Sequence, residues 1–382
     1  MKKLSLKLTL FLIPLLILLS LPLIIGLQTT DLIPVSIMID RQQSQANILY
    51  NPYQSSGADY CYRYETLLYR QPEVVVMGAS WIQHYRADYF REDAPFYNAY
   101  ILASHLEEQV AFFEDISTVY QPQTVVFHFV PGYLGYEYTQ NTDRSITIDY
   151  CRDVEIRRLR AAYQHIVVNP IAAYQHFMTL HGYQQHETWQ FYGSQIASLN
   201  YATFADGSLQ PMRDLWLDTP RPMFDTGTIT NIEYALYPPD NIQAYEQVLL
   251  KRLVQTAQQH DIELIVVIPP MRPDFYNHLM QQAGTDTYLH HISQLFERES
   301  VPFFNFLDSE THFAATVTDF RDISHSSERI TLAWHLEIAA SLPESFGKQV
   351  DIDAMTTLLQ AAENPMQILS PDAYPVPMKE RP

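Results

Sequence analysis

The sequence predicts an α/β protein with a parallel sheet covered on both faces, and three observations lead there. Four short apolar runs, "EVVVMG" (73–78), "TVVFHFV" (124–130), "IELIVVIPP" (262–270) and "VPFFNFL" (301–307), lack the polar alternation of a half-exposed strand. Between them lie stretches whose apolar residues recur every three or four positions, the period of a helix. At 382 residues and 47% hydrophobic content, the chain is long enough for one large α/β domain with embellishments or two modest domains.

The first element sets the compartment. Lys2, Lys3 and Lys7 precede Leu8 to Leu27, twenty residues without a charge. As a helix that run crosses about 30 Å of hydrocarbon. Basic residues before it and none just after it place the N-terminus inside and the rest of the chain outside. Pro14 and Pro22 are tolerated within a membrane helix. A cleaved signal peptide is the competing reading, although the run is long for one and "IIGLQTT" lacks a clear cleavage site. Residues 1–30 are therefore expected to be an anchor or signal.

Residues 28–70 read as an irregular lead-in with a short helix near "YCYRYETLLYR". "EVVVMG" then starts the β-α rhythm, and the apolar piece "FYNAYILA" (96–103) leads into a helix from about His105 to Tyr120. Its Leu106, Val110, Phe113 and Tyr120 share one face. After "TVVFHFV" the rhythm breaks. Residues 131–235, rich in Tyr, Gln, His and Pro, are expected to be an insertion or cap over the sheet, with helices near 153–180. The alternation resumes with helices near 241–260 and 284–299, and a last core helix over 327–342 carries Ile330, Trp334, Ile338 and Leu342. The expected organisation is thus an α/β domain over 31–345 and a C-terminal extension over 346–382.

The net charge is −19, with 43 Asp and Glu against 24 Lys and Arg. Such a surface repels nucleic acid and anionic lipid, which excludes DNA and RNA as partners. The two cysteines, Cys61 and Cys151, are free to pair in an oxidising exterior or to be merely buried; the sequence leaves both open.

The chemistry starts at Ser80. In an open parallel sheet reactive groups gather at the carboxyl ends of the strands, and Ser80 stands just past such an end. A helix starting there would aim its free N–H groups and positive end at a developing oxyanion. The small residues Gly78 and Ala79 permit a tight turn. The plain alternative is that Ser80 only caps the helix. A serine nucleophile needs a base, and "DFRDISHSSERIT" (319–331) offers His325 with Asp322 three residues before it. That spacing lets one short turn present an imidazole and the carboxylate that orients it.

These pieces together resemble the SGNH/GDSL hydrolase superfamily. "GAS" (78–80) is similar to its first block, "YNAYILAS" (97–104) to its second, and Asp322-x-x-His325 to its last. The lead-in, "VVFHFVPGYLG" (125–135), "IELIVVIPPMRP" (262–273) and "DFRDISH" (319–325) resemble membrane-anchored extracytoplasmic members. Among these are the D-alanyl-lipoteichoic-acid biosynthesis protein of the Dlt system and the SGNH proteins that serve polysaccharide O-acetylation. The resemblance covers roughly 60–130 and 240–342. It implies a flavodoxin-like three-layer sandwich with a central parallel sheet, preceded by one transmembrane helix. Ser80 would be the nucleophile, His325 the general base and acid, and Asp322 the orienting acid. The N–H groups of Ser80 and Ala103 would form the oxyanion hole.

The chain departs from the family pattern twice. Ala103 stands for the usual Gly, and the Gly-x-Asn-Asp of the third block is absent, "HFVPG" taking its place. Losing one oxyanion donor costs about 100- to 1,000-fold in rate, unless Asn98 substitutes for it. The implied function is serine-dependent transfer of an acetyl or similar O-acyl group on a cell-envelope polysaccharide, at the bacterial cytoplasmic membrane with the main domain outside. The implied partners are the glycan or acyl donor and a multi-spanning membrane O-acyltransferase. The alternatives are a periplasmic carbohydrate or lipid esterase and a non-catalytic envelope-binding protein.

Other motifs have plainer readings. Ser104 with Glu107 is a capping box. Trp81 and His84 read as packing, and Tyr133, Tyr136 and Tyr138 as aromatic loop residues that could also stack on sugars. His290 and His291 lack partners at zinc-like spacing, and there is no HExxH, CxxC, GxGxxG or Walker motif, so neither metal nor cofactor is expected.

Overall fold

The computed structural model describes residues 12, 20–45, 47–53, 58–100, 106–130, 148–183, 189–199, 201–211, 240–362 and 368–369. They fall into two compact units, one of residues 1–66, 148–205 and 210–212, the other of 67–147, 206–209 and 213–382.

The second unit holds a mixed α/β fold on a five-stranded, all-parallel sheet flanked by helices, an arrangement compatible with a flavodoxin-like fold. Its strands are Val74–Gly78, Phe96–Tyr100, Thr124–His128, Glu263–Ile268 and Phe303–Asn305. Counted along the chain, their spatial order is 2-1-3-4-5. The first three are buried throughout, as continuous apolar runs in a doubly covered sheet must be. The edge strand Phe303–Asn305 is more exposed. Register is tight: Val75 faces Tyr97 on one side and Val125 on the other, and Val126 faces Ile265.

The helices stand where the periodicity puts them. Leu106–Val119 packs on Asp240–Gln259, with Val110, Phe112 and Phe113 of the former buried. Thr285–Arg298 follows Pro273–Met280. Glu328–Ser341 buries Ile330, Trp334 and Ile338, and Ser327 caps it by accepting the Ile330 N–H.

The boundary expected at 345 moves outward. Phe346 is fully buried against Phe90 and His335, and the Arg91 N–H donates to the Gln349 carbonyl at 2.9 Å. Residues 346–350 thus finish the core, and a helix, Ile352–Ala361, follows.

The expected cap over 131–235 is also redrawn. Residues 148–205 join the lead-in in a unit with its own four-stranded sheet and helices Val35–Ser44, Ile148–Val168, Pro170–Tyr183 and Ser194–Leu199. The reason is that the lead-in has a core of its own. Val35, Met38, Ile39, Ile48, Tyr50 and Tyr62 form a buried cluster, and Cys61 is disulfide-bonded to Cys151 with Cα atoms 5.3 Å apart. Arg158 ties the unit together, donating to the carbonyls of Asp31 (2.8 Å) and Ile33 (2.7 Å) while pairing with Glu155.

No helix among the described residues is long and apolar enough to cross a membrane. Of the run 8–27, Leu12 and the helical stretch from residue 20 onward are described, and the remainder lies outside the described residues.

Candidate active site

The strand order creates the site. In a 2-1-3-4-5 sheet the connection from the first strand runs one way, to the second, and that from the third runs the other way, to the fourth, so a crevice opens at the carboxyl ends of the first and third strands. Ser80 follows the first strand by two residues. Gly78 makes the exit possible: its φ is +150°, and a Cβ there would meet the His128 Cβ on the neighbouring strand and lie 2.9 Å from the His128 carbonyl oxygen. Instead of the expected helix, a single 3-10 turn, Ser80–Ile82, follows. Three residues carry little macrodipole, so any anion stabilisation here comes from individual N–H groups. The Gln83 N–H donates back to the Ser80 carbonyl at 3.1 Å, while the Ser80 N–H meets no backbone acceptor among the described residues.

The second piece is a closed loop between the fifth strand and the helix Glu328–Ser341. Phe320 and Ser326 bridge antiparallel, and the Arg321 N–H donates to the His325 carbonyl at 2.9 Å. Thr316 and Asp319 form a capping box, and Asp319 pairs with Arg329 at 2.7 Å. The Arg272 N–H donates to the Ile323 carbonyl at 3.1 Å, fixing the loop to the end of the fourth strand.

The structure brings Ser80, His325 and Asp322 together. The Ser80 hydroxyl lies 3.0 Å from His325 Nε2, and His325 Nδ1 lies 2.7 Å from Asp322 Oδ2. With Nδ1–H donating to the carboxylate, Nε2 is left to accept the serine proton. Asp322 Oδ1 accepts from the N–H groups of Ser324 and His325, both at 2.9 Å, and from the Ser324 hydroxyl at 3.1 Å. Burial would raise the Asp322 pKa, but the hydrogen bond and charge of His325 and these N–H donors outweigh it and hold the carboxyl below the usual range. Ser80 is half-buried and the His325 side chain is 20% exposed, so a substrate can reach both.

Asn98 is not a free donor, which corrects its place in the oxyanion hole. Its Nδ2 donates to the carbonyls of Ile82 (2.7 Å) and Tyr85 (2.9 Å), so both amide hydrogens are spent on the segment behind Ser80. Ala103 and Ser104, and likewise Tyr133, Tyr136 and Tyr138, lie outside the described residues. His84 is buried beside Gln83, and His290 and His291 are exposed. Among the described residues no three His, Cys, Asp or Glu side chains are grouped to hold a metal.

Three residues that sequence reasoning missed shape the site. Ser324 donates to the carboxylate, and its place inside the Asp-x-x-His spacing was the available signal. Arg272, fully buried and paired with Asp274 at 2.6 Å, sits where the loop is fixed. His128 closes the third strand. It is fully buried, Trp81 packs edge-on against it at 6.0 Å, and neither ring nitrogen has a partner among the described residues. Burial, with a further contribution from His325, pushes its pKa down to about 3, so it stays neutral beside the catalytic candidates. No signal in the sequence separated His128 from the apolar run around it.

No family model matches the chain, and no curated protein or solved structure matches it.

Proposed function

We propose that this chain is a membrane-anchored, extracytoplasmic enzyme of the SGNH type, a three-layer sandwich behind one N-terminal transmembrane helix. It transfers an acetyl or similar O-acyl group on a cell-envelope polysaccharide. The observation that carries the reading is the line from Ser80 Oγ to His325 Nε2 at 3.0 Å and from His325 Nδ1 to Asp322 at 2.7 Å. The disulfide Cys61–Cys151 supports an oxidising exterior, and the uncharged run 8–27 supports an anchor.

In this mechanism Ser80 Oγ attacks the acyl carbonyl carbon while its proton passes to His325 Nε2. Asp322 stabilises the imidazolium, and the Ser80 N–H faces the oxyanion. Collapse breaks the bond to the donor oxygen, which takes the proton back from His325. A glycan hydroxyl then attacks the acyl-enzyme, giving up its proton to His325; collapse breaks the Ser80 Oγ–acyl bond, Ser80 Oγ takes that proton from His325, and the acylated glycan leaves. A multi-spanning O-acyltransferase partner would supply the acyl group from across the membrane.

The second reading is an esterase, in which water resolves the acyl-enzyme. The openness of Ser80 and His325 favours it.

The test uses the detergent-solubilised full chain. A fluorophosphonate probe should label it at Ser80, and the Ser80→Ala variant should not be labelled. The Asp322→Asn change should lower turnover of p-nitrophenyl acetate about 10⁴-fold, as tautomer loss does in Ser-His-Asp triads. Mass spectrometry of an added glycan acceptor separates acylated glycan from free acid, hence transfer from hydrolysis. A Ser80→Ala chain that restored envelope acylation in a deletion strain would overturn both enzymatic readings and leave a binding protein.

A further inference from the structure

The first unit carries an apolar surface that nothing in the catalytic reading uses. The helices Ile148–Val168 and Pro170–Tyr183 meet at Asn169, where Pro170 ends the backbone ladder of the first and opens the second. Around this joint Val167, Val168, Ile171, Tyr174 and Met178 are exposed, Val168 by 73% and Ile171 by 75%. Scattered apolar residues on a surface are ordinary, but this many on one joint form a patch. In a chain of net charge −19, the stretch from Ala161 to Tyr183 contains no Asp, Glu, Lys or Arg.

The joint is seated on the end of the N-terminal apolar run. Ile25 forms a buried cluster with Ile166 and Ala173, against which Phe177 packs. Gly26 lets the two approach, since a Cβ there would collide with the Leu32 side chain and come within 3.1 Å of Ile166 Cδ1. The connection is stiff. The Thr29 N–H donates to the Ile25 carbonyl at 2.8 Å, the Thr29 hydroxyl to Asp31 at 2.7 Å, and the Ser194 N–H to Asp31 at 3.0 Å. On the same helix end Leu21, Leu23, Ile24 and Leu27 are about half exposed, so the uncovered apolar surface continues from the joint onto the run itself.

We propose that this joint is a membrane-surface contact, in which Val168, Ile171 and Tyr174 enter the interfacial zone of the bilayer beside the N-terminal helix. The inference rests on the anchored reading above and adds the orientation of the first unit. A helix leaving the bilayer at Leu27 puts whatever packs on Ile25 at headgroup depth, and the apolar and aromatic side chains there suit that zone. Because the stretch is uncharged, the contact draws on area rather than charge and favours zwitterionic lipid without dependence on salt.

The experiment takes the full chain into phosphatidylcholine vesicles. Because Cys61 and Cys151 are paired, a cysteine introduced as Ile171→Cys is the single reactive thiol and takes an environment-sensitive fluorophore. Val248→Cys, on an exposed position of the helix Asp240–Gln259, is the comparison. Nitroxide lipids labelled near the headgroup should quench the probe at 171 at least threefold more than at 248, equally at low and high salt. Equal quenching at both positions, in protein that floats with the vesicles, leaves the anchor standing and overturns the contact. A blue-shifted but unquenched probe at 171 means that protein, not lipid, covers the joint, and also overturns it. A chain that fails to float overturns the anchor and the contact together.

Discussion

At Gly78 the first sheet strand runs out of room for a side chain. The backbone there has φ +150°, and the third strand presents His128 Cβ and carbonyl where a Cβ would go. We expect Gly78→Ala to cost about 1–3 kcal/mol and to displace Ser80, seen together as a lower Tm and slower fluorophosphonate labelling; an unchanged Tm would refute the crowding argument. The "GAS" turn and the Asp-x-x-His pair were legible because each is a local pattern. The commitment of Asn98 was not. Whether a strand asparagine faces a pocket or the backbone depends on where Ile82 and Tyr85 fold back, and their carbonyls take both of its amide hydrogens. His128 was hidden for a related reason. In a run as apolar as "TVVFHFV", only the neighbouring strands reveal a buried, neutral imidazole.

Among the elements, the periodic helices and the buried strands lay close to their expected bounds, while the irregular pieces did not. The turn after Ser80 is a 3-10 turn because the chain reverses again at Tyr85, whose N–H donates to the Ile82 carbonyl at 2.9 Å. Tyr85 itself is held in an aromatic cluster with Phe90, Phe96, Trp334 and His335. Phe346 packs on the same cluster from beyond the last core helix. The segment 346–350 therefore closes the core rather than trailing from it. Phe346→Ala should destabilise the protein by about 3–5 kcal/mol, the usual cost of a large aromatic deletion in a core. Denaturant unfolding measures it, and a loss under about 1 kcal/mol would make the segment a surface tail after all.

For the molecule as a whole, two buried histidines link stability to pH. Burial lowers His335 to about 3, opposed by the hydrogen bond to the Tyr89 carbonyl, and lowers His128 to about 3 with help from His325. The unfolded chain binds these protons near the ordinary 6.5 and the native chain does not. Stability is therefore intact above that value and falls as pH drops from 6.5 toward about 3. Asp322 adds to the loss only at the acid end, because its lowered pKa keeps it ionised until the pH falls below the ordinary carboxylate value. Thermal unfolding between pH 7 and 4 should show the decline, with a smaller slope in His335→Gln; a flat profile in the parent chain would refute it.

The sequence by itself determined the α/β class, the succession of buried strands and helices, and the two short segments that meet in the site. Each of these is written in spacings of a few residues, which neighbouring backbone and side-chain contacts enforce. Only the tertiary structure decided the 2-1-3-4-5 strand order, the pairing of Cys61 with Cys151, the division into two units and the fate of Asn98. Those depend on which distant segments bury one another's surface and satisfy one another's hydrogen bonds, and that choice is made by the assembled core, not by local spacing.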